Sequence, residues 1–215
     1  MNCTTTTMSA RPISASDGDA ELAAARKAGW RRADLDWERL QEQGNQLLLD
    51  DDRIGAVRCF RRAGWIALWR IPKGDPRRAA TLANLARADR LSGHEGRARR
   101  RYAKARRLWA GVDDWIGGME AARRARSSLF HMRMEARHWD TYQENMRSRM
   151  RAFAAETAES LAALERGEAA PYRLFERWHG EKPSVFDDTR KFLSAALMIG
   201  ADEGPSPGSE HKSSK

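Results

Sequence analysis

Two cysteines in 215 residues, Cys3 near the N-terminus and Cys59 in the middle of a helical stretch, are too few and too differently placed for a disulfide framework. Long apolar runs are missing as well. A membrane span needs about 20 consecutive apolar residues, and with hydrophobic residues at 41% and charged residues at 32% every apolar stretch is interrupted within a few positions. The N-terminal MNCTTTTMSARPISASDGD has neither the basic start nor the apolar stretch of a secretory leader, so a cytoplasmic location is expected; Met8 offers a second candidate start. Catalytic signatures are lacking too: there is no GxSxG, no Walker loop, no HExxH and no CxxC, which argues against an enzyme and against a bound cofactor. Acidic residues are scarce, 30 against 39 Lys and Arg, for a net charge of +9. The imbalance is concentrated. Between Arg70 and Arg107 stand thirteen basic residues against Asp75, Asp89 and Glu95, and a basic patch of this kind keeps nucleic-acid binding open as a functional class.

What the chain does contain is helical periodicity. In ATLANLARADRLSGHEGRARRRYAKA, from Ala79 to Ala105, Leu82, Leu85, Ala86 and Asp89 fall at helical spacing. Ser92-Gly93 then supplies a helix stop, because glycine adopts positive φ without a steric penalty. In the second helix Ala98, Tyr102 and Ala105 place a small, a large and a small residue on one face, so a neighbouring helix can approach closely around the aromatic.

The pattern repeats 42 positions earlier, Leu82 matching Leu40, Ala86 Gly44, Ala98 Ala56, Tyr102 Phe60 and Ala105 Ala63. Self-similarity at a fixed offset is the mark of stacked helical repeats. These residues resemble the consensus of tetratricopeptide repeats, and the long offset is similar to the extended variant of kinesin light chains. The match covers about residues 37 to 110 and departs from the family at Asp51, where glycine is usual, and at Gln43, where an apolar residue is usual. The resemblance implies an all-α, right-handed α-solenoid of about three helical hairpins: repeats over about 37–72 and 76–111, a degenerate third over 113–165, and capping helices over 171–200. Residues 1–18 and 201–215, rich in Thr, Ser, Gly and Pro, read as disordered ends around a helical domain from 19 to 200.

Along that domain, Asp19 to about Arg32 reads as a short covering helix. Helices are expected from about Asp36 to Asp50 and Arg53 to Arg70, and Asp75-Pro76 marks the next start. Asp113 and Asp114 open a further helix towards Arg137, with a partner from about Trp139 to Leu164. Ser184 and Asp187 resemble a capping box for a last helix reaching about Ile199, expected to close the exposed end of the array. Most of the eight tryptophans belong to helical stripes; Trp65 and Trp69 are expected to pad the seam between repeats.

His131, Glu135 and His138, with Asp140 beside them, would share a helix face, but the spacing is no established metal signature and a fourth ligand is missing, so solvated polar residues beside a buried Trp139 are expected and no metal is assigned. The family resemblance implies a concave groove lined by the first helix of each hairpin, with Glu38, Gln41, Asn45, Leu48, Ala83, Asn84, Arg87 and Arg90 facing it. An asparagine amide both donates to and accepts from an extended backbone, and Arg87 and Arg90 suit carboxylates. The implied role is a non-catalytic adaptor or assembly factor holding an acidic or extended segment of a partner protein through Gln41, Asn45, Leu48, Asn84, Arg87 and Arg90. Arg97, Arg99, Arg100, Arg101, Lys104, Arg106 and Arg107 form a basic patch on the outer side of the second hairpin, the surface a nucleic-acid-binding alternative would use, or one that self-association with acidic helices of another copy would use.

Overall fold

In a computed structural model of the chain the described residues are 15–120 and 139–200, and all regular structure among them is helical. The helices are α1 (Ala15–Lys27), α2 (Arg32–Leu49), α3 (Arg53–Arg70), α4 (Arg77–Leu91), α5 (Glu95–Trp109), α6 (Val112–Gly117), α7 (Trp139–Arg166), α8 (Leu174–Glu181) and α9 (Asp188–Leu197). None of the described helices is long and apolar enough to cross a membrane. The 201–215 tail, nearly all of the 1–18 segment and the stretch containing His131, Glu135 and His138 lie outside the described residues. α1 nevertheless begins inside the expected N-terminal tail.

Two hairpins, α2–α3 and α4–α5, form the first half of the molecule and repeat one another. Their turns are equivalent at the 42-residue offset: Gly93 takes φ 75° and Asp51 takes φ 59°. Asp51 thus adopts the left-handed conformation that glycine would hold without strain, and it is the non-glycine residue with positive φ among the described ones. Asp52 then caps α3 by accepting from the Gly55 N–H at 2.8 Å.

The small-large-small motif works as sterics require. Ala56, Phe60 and Ala63 on α3, and Ala98, Tyr102 and Ala105 on α5, are all fully buried. The Phe60 ring lies so close over Gly44 that a Cβ there would stand 2.5 Å from Cε1, whereas the second hairpin accepts Ala86 at the same place. Gly64 lets α3 approach α4, since a Cβ there would meet Leu85 at 3.1 Å.

α6 is short, and the first helix expected for the third hairpin falls mostly outside the described residues. α7 runs 28 residues and packs on α5 and α9; Trp109 Nε1 of α5 donates to the Ala154 carbonyl at 3.0 Å.

Three local expectations are corrected. Ser184 does not cap the last helix: α9 begins at Asp188, and Asp187 accepts from the Arg190 N–H at 3.1 Å. Trp65 and Trp69 do not pad a seam, because they point outward from α3 at 64% and 70% exposure. Finally, α9 does not close one end of an array. It lies against α4, α7 and α8, and every residue from Phe192 to Gly200 is buried. Phe192, Leu197, Met198 and Ile199 belong to the main core with Trp37, Tyr102, Trp109 and Trp178. A segment this apolar gains far more from enclosure on several sides than from covering one repeat.

Candidate functional site

The inner sides of α2 and α4 carry the polar residues singled out from the sequence, and they converge on the segment that follows α9. Asn45 Nδ2 of α2 and Asn84 Nδ2 of α4 both donate to the Met198 carbonyl at 2.7 Å. Asn84 Oδ1 accepts from the Gly200 N–H at 3.1 Å, so one side chain pairs with both polar faces of the same backbone stretch. Gln41 completes the arrangement by accepting at Oε1 from Asn84 Nδ2 at 2.7 Å, which orients the amide. All three residues are buried. Asn45 Oδ1 accepts no hydrogen bond among the described residues.

Gly200 sits against this clamp where no side chain fits. A Cβ at that position would stand 2.0 Å from Arg87 Nη1 and 2.5 Å from Asn45 Oδ1. Arg87, half-buried, therefore stands beside Gly200. Arg90 turns elsewhere: its Nη2 donates to the Leu164 carbonyl at 2.8 Å, it pairs with Glu95, and its guanidinium lies 4.9 Å from the Tyr102 ring centroid. Leu48 is half-buried against the Ala56, Phe60 and Ala88 cluster. Gln41, Asn45, Asn84 and Arg87 thus gather at one place, and Arg90 and Leu48 serve the packing around it.

About two helical turns before the clamp, two buried guanidiniums hold the inner surface together. Arg190 of α9 reaches Glu38 of α2 with Nε at 3.1 Å and also pairs with Glu21 at 3.3 Å, while lying 4.3 Å from the Phe186 ring centroid. Arg77 of α4 is shared by Asp34 at 2.8 Å and Asp75 at 2.6 Å. Burial pushes the Asp34 carboxyl up, but the Arg77 charge and bonds from Arg31 outweigh it and hold it below the usual carboxylate range. Burial likewise opposes ionisation of Glu21, and Arg39 with Arg190 overcomes it, leaving that carboxyl lowered too. Sequence separations of 152 for Glu38–Arg190 and 153 for Asn45–Met198 explain why neither contact is readable locally.

The outer layer is organised differently. Of the basic patch, Arg97 and Arg101 are held by Asp89 at 2.8 and 2.7 Å, and Arg106 by Glu165. Arg99, Arg100, Lys104 and Arg107 are exposed, with no ion pair among the described residues. Cys59 of α3 is buried, and burial pushes its thiol pKa up. Among the described residues no three His, Cys, Asp or Glu side chains gather as metal ligands would.

No family model matches this chain, no curated protein matches it, and no solved structure does.

Proposed function

We propose that the chain is a non-catalytic protein-interaction scaffold of the tetratricopeptide kind, an adaptor or assembly factor that holds an extended, acidic segment of a partner protein along the inner faces of α2 and α4. The observation that carries this reading is the convergence of two asparagine amides from successive hairpins on one backbone carbonyl. Such amides recognise main chain and not side chains, so they suit any extended segment of the right course. Arg87 beside Gly200 favours acidic residues in that segment. The chain's own sequence continues after Gly200 as Ala201-Asp202-Glu203, which has the same character. A partner segment competes with Met198–Gly200 for the clamp, and the affinity of the groove is set by that competition.

Gly200→Val tests this directly, because a side chain there collides with Arg87 and Asn45 and loosens the internal occupant. In affinity capture from a native lysate, Gly200→Val should retain a partner protein better than wild type does. The triple variant Asn45→Ala, Asn84→Ala, Arg87→Glu should lose it while keeping its helical circular dichroism. Equal capture by all three proteins would remove the groove from the account. The four exposed cations on α5 that form no ion pair among the described residues support a second reading in which the outer face binds phosphates; capture that disappears on nuclease treatment would favour it.

A further inference from the structure

The outward face of α3 carries most of the large apolar side chains that are exposed among the described residues. Ile54, Trp65, Leu68 and Trp69 are 69%, 64%, 59% and 70% exposed, and the two indoles stack on each other with centroids 6.5 Å apart and planes 12° apart. Arg58, Arg61 and Arg62 lie exposed between Ile54 and this aromatic group, and they form no ion pair among the described residues. The helix itself contains no acidic residue. At 3.6 residues per turn, Ile54, Arg58, Arg61, Trp65, Leu68 and Trp69 all fall within about 100° of arc, as one stripe about 22 Å long. The opposite side of the helix, with Ala56, Phe60 and Ala63, is already used by the core, so this stripe is surplus to folding.

We propose that this stripe is a docking surface, separate from the inner groove, for an acidic amphipathic helix of a protein partner. The order of residues selects the occupant. Apolar anchors stand at both ends, and between them stand Arg58 and Arg61, with Arg62 at the edge of the stripe, none in an ion pair among the described residues, which complements a helix with apolar residues at its ends and carboxylates in its middle. Tryptophan and arginine together are also the side chains that dominate binding energy at protein interfaces. A lipid surface fits less well, because the arginines interrupt the apolar stripe instead of flanking it, and a bilayer deep enough to take the indoles would have to take the guanidiniums with them. A nucleic acid fits less well too, since each indole already spends one face on the other and Ile54 and Leu68 have nothing to offer a phosphate chain. The chain's own remaining segments lack the required chemistry. Residues 1–14 contain no carboxylate side chain, 121–138 have five arginines to one glutamate, and 201–215 have acidic residues without a large apolar one. None of these three segments supplies such a helix.

The test uses the full chain and a labelled synthetic helix of about 16 residues, leucines at both ends and glutamates between, beside a twin with lysine for glutamate. Fluorescence anisotropy should report binding of the acidic helix, at least about tenfold weaker binding of the basic twin, and a comparable loss in Trp65→Ala, Trp69→Ala and in Arg61→Glu, Arg62→Glu. Both double variants should keep the wild-type circular dichroism and melting curve, because the altered side chains are exposed. Equal binding of the two peptides, or binding indifferent to either double variant, overturns the proposal. So does a wild type that ignores the acidic helix while binding phosphatidylglycerol vesicles or a poly-thymidine strand. The groove variant Asn45→Ala, Asn84→Ala, Arg87→Glu should bind the acidic helix as wild type does, which separates failure of this surface from failure of the groove.

Discussion

On the inner side of α2 and α4 polar side chains are buried and mostly hydrogen-bonded, whereas on the outer side of α3 large apolar side chains are exposed and Arg58, Arg61 and Arg62 form no ion pair among the described residues. The inner surface inverts the usual preference because the chain brings its own partners to it: Met198 O for Asn45 and Asn84, and Arg190 for Glu38. Burying these groups without those partners would be costly, since each unsatisfied polar group loses water and gains nothing. Outside, no such compensation exists, and Trp65, Leu68 and Trp69 keep apolar area in water that folding leaves uncovered. The contrast separates residues selected by the fold from residues that the fold does not need.

The comparison can be broken most forcefully at Glu38. Glu38→Ala leaves the Arg190 guanidinium buried with Glu21 as its remaining ionic partner among the described residues, and should lower unfolding free energy by about 3 kcal/mol in urea titration. A loss under about 1 kcal/mol would mean that Glu21 and water satisfy Arg190 and that the inner ion pair is incidental.

A second cut is Asn84→Ala. It deletes the bonds to Met198 O, Gln41 Oε1 and Gly200 N–H together, and should cost about 2 kcal/mol. It should also raise hydrogen exchange at Gly200 while leaving the amides of α3 unchanged. Uniform acceleration across the molecule would show that the clamp and the hairpins open as one unit.

The smallest effect is a pH dependence that sharpens the inner side's reliance on charge. The folded pKa of Asp34 is depressed, so its contribution is present above the ordinary carboxylate range, near pH 4, and is lost as pH falls through the lower folded value. Asp34→Asn should therefore flatten the stability-versus-pH curve below about pH 4 and leave its shape at neutral pH unchanged. An unchanged acid limb would assign acid sensitivity to other carboxylates, such as Glu21.

The hairpins were legible because their signals are local. Ala56-x3-Phe60-x2-Ala63 and Ala98-x3-Tyr102-x2-Ala105 state a packing face within two turns of helix, and Gly93 states a stop in one residue. Even the departure at Asp51 leaves the turn intact, since aspartate tolerates the left-handed region better than most side chains. The candidate site was half legible. The resemblance to tetratricopeptide repeats implied that Gln41, Asn45, Asn84 and Arg87 share a face, yet it contains nothing about what that face meets in this chain. Arg90 looked equivalent to Arg87 and is instead spent on Leu164 O, Glu95 and Tyr102. Trp65 and Trp69 looked like seam residues because spacing reveals that two side chains share a face but not whether that face is covered.

The helical class and the two equivalent hairpins with their turns were readable from the sequence, whereas the residues of the inner face followed only from the resemblance to a repeat family. The class and the hairpins depend on side chains within one or two helical turns of one another, where propensity, sterics and glycine freedom act directly. Tertiary structure alone decided that α9 and Met198–Gly200 enter the inner groove, that Glu38 and Arg190 pair in the interior, and that α3 turns its tryptophans to solvent. Those outcomes depend on contacts across more than a hundred residues, or on the absence of a covering element, and a competition among possible burials of the whole chain settles them, not any local pattern.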